Sequence, residues 1–384
     1  MRIGHYTYNI WEHGGIASYI RRLSVAQRAA GHTVYYLDSK TDNSFLDNEN
    51  ELPIIVCDDK DLLAQAKILK LDILHLHTAI HVNPNNSIPI IRTIHGHQPY
   101  CPSGGRYLSR WSQPCNRAYS FTGCLWGHFV DRCGSIRPHN LSADFQKTWD
   151  EMRVLSGVKT IANSQFLKEQ MLHSGYTEKL INVIYYPAPQ LPNYICPPQE
   201  QVPHFLFLGR IVPQKGLDFL LHSLKKVSIP VHLDIAGDGY QEEEMRALSQ
   251  RLKLNEKVTF HGWLNETKTF QLLQAARALI FPSLWHEPAG IVSLEAAAAG
   301  RAIIATRVGG IPEYIAQQQH SLLVKPNDIN ELSNRIETLA FNWSLAKQLG
   351  EEGRKMIQAQ FSMEQHLEQI INLYNLVIQA KTVV

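Results

Sequence analysis

Three features that would narrow the function are missing from the sequence. No run of about 18 apolar residues is present, so no transmembrane helix is expected. The 37 basic and 35 acidic residues leave a formal net charge of +2, too small to indicate nucleic-acid binding. No signal-peptide pattern separates Met1 from the first predicted strand. We therefore expect a cytoplasmic protein, or one peripheral to the inner face of a membrane.

Cysteine is also scarce, and none of the six cysteines forms a Cys-x-x-Cys pair, the stronger signal of a zinc site. Disulfides are not expected in a cytoplasmic chain. Four cysteines nevertheless fall in one segment rich in glycine and aromatic residues: Cys101, Cys115, Cys124 and Cys133. Nearby in sequence are His95, His97, His128 and His139. Because thiolates and imidazoles bind zinc, one interpretation is a structural zinc site, and the other is ordinary thiols in an irregular insertion.

The pattern along the chain predicts two domains. At 384 residues, 44% of them hydrophobic, the chain can form two cores. Short apolar strands alternate with helical patterns in residues 1–187 and again in 204–361, which predicts two doubly wound parallel sheets. A proline-rich linker at 188–203 separates them, residues 98–140 form a cysteine-rich insertion, and 362–384 is helical. Such sheets bind ligands at the carboxyl ends of their strands, so two facing domains would form a cleft.

The most informative segment runs from Phe281 to Glu313. It reads FPSLWHEPAGIVSLE from 281 to 295 and GGIPE from 309 to 313. A strand, a loop and then a small-residue helix opening near Gly290 are predicted, and a helix start suits a phosphate. The carboxylates of Glu287 and Glu295 can accept hydrogen bonds from neighbouring sugar hydroxyls. Phosphate and sugar together indicate a nucleotide sugar.

Two cations follow the first strand of the second domain. Arg210 comes directly after Leu208-Gly209, and Lys215 precedes a predicted helix. A diphosphate that leaves gains negative charge, which the planar guanidinium and the compact ammonium would stabilise. Such a pair is also common on protein surfaces, and the nearby glutamate motif favours the functional interpretation.

Together these motifs resemble glycosyltransferase family 4, the group 1 retaining enzymes with the GT-B fold of two facing Rossmann-like domains. The resemblance covers nearly the whole chain. It departs at Ala289, where the family often has an aromatic residue, and at Ala302, where it often has proline. It implies metal-independent transfer from a nucleotide diphosphate sugar, UDP before GDP, to an acceptor hydroxyl of a glycan, polysaccharide or glycolipid. It also implies that the C-terminal helix packs back on the first domain.

The resemblance assigns roles to individual residues. Glu287 would bind the transferred sugar, and Arg210 and Lys215 the leaving diphosphate. His95, which ends a strand, would act near the sugar, with His97 as its rival. Glu295 would hold the ribose. The remaining residues expected to bind the donor are Gly14, Gly15, Gly237, Asp238, Trp263, Leu264, Pro288, Ala289, Gly290, Ile291 and Val292.

Several alternatives stay open at this point. Glu313 either caps its own helix or binds the ligand. Asp59-Lys60-Asp61 matches a metal-binding pattern, but helix capping explains it, and no catalytic metal is expected. The insertion is expected to shape the site of a carbohydrate or lipid-linked acceptor. The rival functions are a hydrolysing epimerase on the same fold and a non-catalytic sugar-nucleotide-binding protein.

Overall fold

The computed structural model describes residues 1–11, 14–39, 54–84, 88–191, 194–315 and 320–382. Its two parallel sheets, one in each half of the chain, confirm the doubly wound α/β architecture. The first sheet has seven strands in the order β3-β2-β1-β4-β5-β8-β9. The elements of this half are β1 (Arg2–Thr7), α1 (Gly15–Ala29), β2 (Thr33–Asp38), β3 (Ile54–Val56), α2 (Leu62–Ile68), β4 (Ile73–Leu76), β5 (Ile90–Ile94), β6 (Tyr107–Leu108), β7 (Gln113–Pro114), α3 (Phe121–Trp126), α4 (Pro138–Leu155), β8 (Lys159–Ala162), α5 (Gln165–His173) and β9 (Ile181–Val183).

The second sheet has six strands in the order β12-β11-β10-β13-β14-β15. Its elements are β10 (His204–Leu208), α6 (Leu217–Lys226), β11 (His232–Ala236), α7 (Glu242–Arg251), β12 (Val258–Gly262), α8 (Glu266–Ala275), β13 (Ala278–Phe281), α9 (Ile291–Ala298), β14 (Ala302–Thr306), α10 (Ile311–Tyr314), β15 (Ser321–Val324), α11 (Ile329–Phe341) and α12 (Trp343–Gln360). Strands β13 and β14 are buried along their whole length, because helices cover both faces of a parallel sheet.

The final helix, α13 (Met363–Thr382), packs against the first sheet. Ile370 and Tyr374 are fully buried and pack with Ile3, Ile73 and Ile91. The chain therefore crosses back to the first domain after α12, and α13 ties the two halves together. Among the helices within the described ranges, none is both long enough and apolar enough to cross a bilayer.

The insertion also joins the two halves. It contains the short antiparallel hairpin β6–β7, helix α3 and a π-helical turn over residues 127–131. Tyr107 on β6 is 2% exposed and packs into the core of the second domain with Leu217 and Leu284. The insertion therefore belongs to the first domain by sequence but docks on the second.

Candidate active site

A buried ion pair lies where the second domain faces the first. Lys215 ends a 3₁₀ turn (Pro213–Lys215), and its Nζ lies 2.6 Å from Oε1 of Glu287. The Ser283 hydroxyl donates to the same carboxylate oxygen. The Lys215 ammonium also lies over the rings of Phe281 and Trp285, at 5.6 and 5.5 Å from their centroids. The pair is thus held in one geometry from several sides, with little solvent to screen it.

Glycines allow the loop that carries Lys215 and the loop that carries Glu287 to pack closely. Gly216 has φ +68°, and a Cβ there would overlap the carbonyl of Pro282. Gly309 has φ +56°, and a Cβ there would overlap the backbone of Glu287. The Gly310 N–H donates to the Glu287 carbonyl at 2.8 Å. Only glycine adopts such backbone angles without strain, so the loop carrying Glu287 rests on sites that tolerate no side chain.

Helix α9 begins directly after this loop with open backbone donors. Gly290 is its N-cap, no side chain caps it, and no acidic residue stands in its first turn. Across the cleft, a Cβ on Gly15 would lie 3.3 Å from the Ile291 side chain. Ile291, in the first turn of α9, therefore lies against the start of α1 at Gly15, and the donor-binding role of Pro288, Ala289, Gly290, Ile291, Val292 and Gly14 stays a prediction. This arrangement can hold an anion at the start of the helix.

Glu295 lies one turn further along α9 and is partly buried. Burial raises the pKa of its carboxyl to about 7, while the Arg22 guanidinium lowers it and Glu266 raises it further. Arg22 comes from α1 in the first domain, and its buried Nε has no hydrogen-bond partner among the described groups. Arg22 is not among the residues predicted from the sequence, where its only signal is a basic residue two turns after Gly15 on the same helix.

The other predicted donor residues follow the ends of β10, β11 and β12. Gly237 has φ +138°, and a Cβ there would overlap the carbonyl of Gly209, so the two turns touch. Arg210 and Asp238 are exposed at this edge, and Trp263 is 50% exposed rather than part of the core. The partly buried hydrophobic residues that pack against the core include Leu264. The sheet topology therefore places this predicted set along one rim.

His95 is part of a buried chain of hydrogen bonds. His5 donates from Nε2 to the Gln27 amide oxygen at 2.8 Å, so its Nδ1 accepts from Nε2 of His77 at 2.9 Å. His77 in turn accepts at Nδ1 from Nε2 of His95 at 2.9 Å, and the Tyr186 hydroxyl donates to Nδ1 of His95. Both ring nitrogens of His95 are therefore occupied.

Burial also lowers the pKa of His95 to about 3. The ring is neutral at physiological pH, so the structure does not support a charged, proton-shuttling histidine at this position. A role for His95 as a hydrogen-bond donor to the sugar stays a prediction, and it requires release of the bond to His77.

The rival, His97, bridges the domains instead. Its Nε2 lies 2.6 Å from the carbonyl oxygen of His286, the residue before Glu287, and its Nδ1 lies 2.5 Å from the Tyr100 hydroxyl. The Ser164 hydroxyl donates to the Pro288 carbonyl at 2.6 Å. The first domain therefore holds the backbone on both sides of Glu287.

The Glu313 carboxylate binds a helix of the other domain. It accepts from the backbone N–H groups of Gln165 and Phe166 at 2.6 and 2.8 Å, and from the Tyr185 hydroxyl at 2.9 Å. It thus caps α5 of the first domain while standing in the first turn of its own helix, α10, and a role in ligand binding stays a prediction. A negative charge at a helix N-terminus is stabilising, so this contact favours the observed approach of the domains.

The Asp59-Lys60-Asp61 segment is a turn before α2. Asp58 closes this turn by accepting from the N–H groups of Lys60 and Asp61 at 3.1 and 3.2 Å. Asp59 accepts from the backbone N–H of His81 at 2.8 Å. The N-cap of α2 is Asp61, and no side chain caps the helix, so the expected helix capping by aspartate was wrong and the aspartates instead hold the turn before it.

Two family models each match one half of the chain. The model of the family described as Glycosyltransferase Family 4 matches residues 13–187, and that of Glycosyl transferases group 1 matches residues 197–356. The chain is 32% identical over 323 residues to alpha-maltose-1-phosphate synthase of Mycolicibacterium smegmatis, covering 76% of this chain and 81% of the relative. It is also 32% identical over 180 residues to O-antigen chain mannosyltransferase C of Escherichia coli. That match covers 46% of this chain and 48% of the relative.

The chain spans about half the length of the first curated relatives that it matches. A solved structure, Anabaena HepE in complex with UDP and glucose, superposes with a TM-score of 0.71 over 98% of this chain and 99% of that one, at 18% identity. Both halves of the sequence and the two-domain fold therefore lead to one assignment. The chain belongs to glycosyltransferase family 4, the group 1 glycosyl transferases.

Proposed function

We propose that this protein transfers a sugar from a nucleotide diphosphate sugar, with UDP favoured over GDP, to an acceptor hydroxyl with retention of configuration. The observation that carries the proposal is the buried Lys215–Glu287 pair beside the uncapped start of α9. One anion site, one cation and one carboxylate within a single cleft match the phosphate and sugar of such a donor. The UDP and glucose in the HepE structure support the choice of nucleotide.

Each residue has a chemical task in this proposal. Glu295 binds the ribose diol, and the first N–H groups of α9 hold sugar or phosphate. Lys215 and the exposed Arg210 stabilise the diphosphate as its charge grows, so no metal is needed for this step. Glu287, oriented by Lys215 and Ser283, binds hydroxyls of the transferred sugar.

We propose a front-face reaction. The bond from the anomeric carbon to the phosphate oxygen breaks, and the acceptor oxygen forms its bond on the same face. The departing phosphate takes the proton of the acceptor hydroxyl, so no protein base is required. The neutral and fully hydrogen-bonded ring of His95 is consistent with this route, since no charged histidine has to take part.

The insertion carries the acceptor side of the proposal. Asn116 Oδ1 lies 2.7 Å from Nε2 of His286, so the insertion reaches the loop that holds Glu287. Large apolar side chains are exposed on it and on the adjoining α4: Trp111, Phe121, Trp126, Phe129, Ile136 and Trp149. Exposed arginines accompany them at Arg110, Arg132 and Arg137. Aromatic and cationic groups suit a membrane interface, so we propose a lipid-linked acceptor reached by peripheral contact.

Nucleotide binding tests the donor site first. Thermal unfolding would be followed with UDP, GDP, ADP and their sugars for wild type, Glu295→Gln and the exposed control Glu368→Gln. A ligand at a hundred times its Kd adds roughly 2.7 kcal/mol to the stability of the folded state. We expect one nucleotide to stabilise wild type and the control but not Glu295→Gln. Equal stabilisation of all three would contradict the ribose assignment.

Product analysis separates the rival functions. A hydrolysing epimerase would release an altered sugar without any acceptor, and a non-catalytic binder would release nothing. NMR of a purified product would show whether the linkage retains the donor configuration. An inverted linkage would overturn the front-face route.

Vesicle sedimentation tests the acceptor side. Replacing Trp126 and Phe129 with serine should reduce binding to vesicles that contain anionic lipid and leave nucleotide binding intact. Replacing the exposed Tyr240 of the second domain with serine is the control. If the double variant lost nucleotide binding together with vesicle binding, the proposal that the insertion serves the acceptor and not the donor would be wrong.

A further inference from the structure

Four cysteines that are distant in sequence converge in the insertion. Cys101, Cys115, Cys124 and Cys133 all line one cavity of about 30 Å³, a space for an ion rather than a substrate. All are free thiols. No three of the ligand atoms of this set lie within 4.8 Å of one another in the described part of the chain, so a bound metal ion would have to draw these cavity-lining side chains together.

A histidine completes this set of candidate ligands. His128 lines the same cavity and is fully buried, and its Nδ1 donates to the Ser135 carbonyl at 2.9 Å. Nε2 therefore carries a lone pair, and it has no hydrogen-bond partner among the described groups. A metal-binding histidine characteristically donates its second nitrogen to a carbonyl in this way.

Local backbone structure supports a built site. Cys124 lies on α3 and His128 on the π turn that continues it, four residues later, so both can face the same side. Arg132, next to Cys133, has φ +55°, and Arg106 has φ +42°. Left-handed backbone at non-glycine residues persists only where surrounding contacts enforce it.

The charge of the surroundings also fits a thiolate site. Zinc with four thiolates carries a net charge of −2, and with three thiolates and one imidazole −1. Arg106, which is 3% exposed, and Arg117 both line the cavity. Arg106 donates through Nε and Nη2 to the Cys115 carbonyl at 3.2 and 2.8 Å. The buried Arg106 guanidinium would partly offset the anionic centre, whereas Arg117 is already paired with the Asp131 carboxylate.

We propose that this cavity is a tetrahedral zinc site formed by Cys115, Cys124 and Cys133, with Cys101 or His128 as the fourth ligand. Zinc binds thiolate at about 2.3 Å, and a closed tetrahedral set of this composition serves structure rather than catalysis. The site fixes the insertion next to the active-site loop, because Asn116, which contacts His286, directly follows Cys115.

Metal analysis of the full-length protein, purified without chelator, tests the proposal independently of sugar transfer. We expect one zinc per chain in wild type and in the controls Cys57→Ser and Cys196→Ser, and substantial loss in Cys124→Ser. Because that variant could misfold, wild type stripped of metal would also be titrated with cobalt. A stoichiometric thiolate-to-cobalt absorption band supports the site, and comparing Cys101→Ser with His128→Gln identifies the fourth ligand.

Two results would overturn it. One is reduced wild-type protein that contains no zinc and takes up neither zinc nor cobalt. The other is peptide mapping under non-reducing conditions that finds these cysteines paired as disulfides in the native protein.

Discussion

Replacing Glu295 with glutamine should stabilise the free protein in a pH-dependent way. Burial raises the pKa of this carboxyl from 4.5 to about 7 in the folded state. The contribution of the neutral carboxyl to the free energy of unfolding is therefore fully present below pH 4.5, the ordinary pKa. This contribution is lost as the pH rises through about 7, the pKa in the folded state. A rise of this size corresponds to roughly 3 kcal/mol at full ionisation, since one pKa unit is about 1.4 kcal/mol. Glutamine has a similar shape and carries no charge.

The assay is urea unfolding of wild type and Glu295→Gln at pH 5, 6.5 and 8. The variant should gain roughly 2 kcal/mol in free energy of unfolding, relative to wild type, between pH 5 and pH 8. The exposed control Glu368→Gln should show no such trend. If the difference in free energy of unfolding between variant and wild type were the same at all three pH values, the pKa of Glu295 would not be raised. If that difference shrank with rising pH, the pKa would be lowered instead.

The same variant should bind the donor nucleotide less tightly, although it is more stable at pH 8. The structural reason is that desolvation raises the pKa of the partly buried Glu295 even though the Arg22 guanidinium of the opposite domain lowers it, so the charged form is kept at a cost in stability. Residues kept at a cost in stability are typical of functional sites. If Glu295→Gln proved more stable and bound nucleotide as well as wild type, Glu295 would have no role in donor binding.

Three further substitutions test the support of the site. Lys215→Met should lower kcat/KM about 100-fold, since loss of one group that stabilises the charge on the leaving diphosphate costs ~3 kcal/mol. Replacing the exposed Lys225 with methionine should leave kcat/KM unchanged in the same assay. Gly309→Ala should destabilise the protein by more than 1 kcal/mol and abolish transfer, because φ is +56° there and the new Cβ would overlap the backbone of Glu287. The control is Gly157→Ala, whose Cβ would meet open space. It should change neither the free energy of unfolding nor the activity. Glu313→Gln should cost about 1 kcal/mol in unfolding experiments and loosen the domain arrangement in small-angle scattering, and unchanged scattering and stability would contradict the interdomain cap.

Local patterns in the sequence were enough to predict most of the strands and helices. Strands such as β1, β5 and β13 are short apolar runs between turn residues, and their periodicity does not depend on distant contacts. Elements with weaker local signals were not predicted, among them β9, β15 and the adjoining helices α11 and α12. The carboxyl-edge rule then placed Arg210, Gly237 and Trp263 on one rim without knowledge of their contacts.

The sequence by itself determined the candidate site motif, because Glu287, Gly290 and Glu295 are neighbours along one loop and helix. The tertiary structure alone decided which groups from elsewhere meet them: Arg22 beside Glu295, Glu313 on the start of α5, and both ring nitrogens of His95 occupied within the first domain. The four cysteines likewise converge only in the folded insertion. Periodicity records which face of an element is buried, whereas contacts between distant segments depend on how the sheets and the two domains pack together.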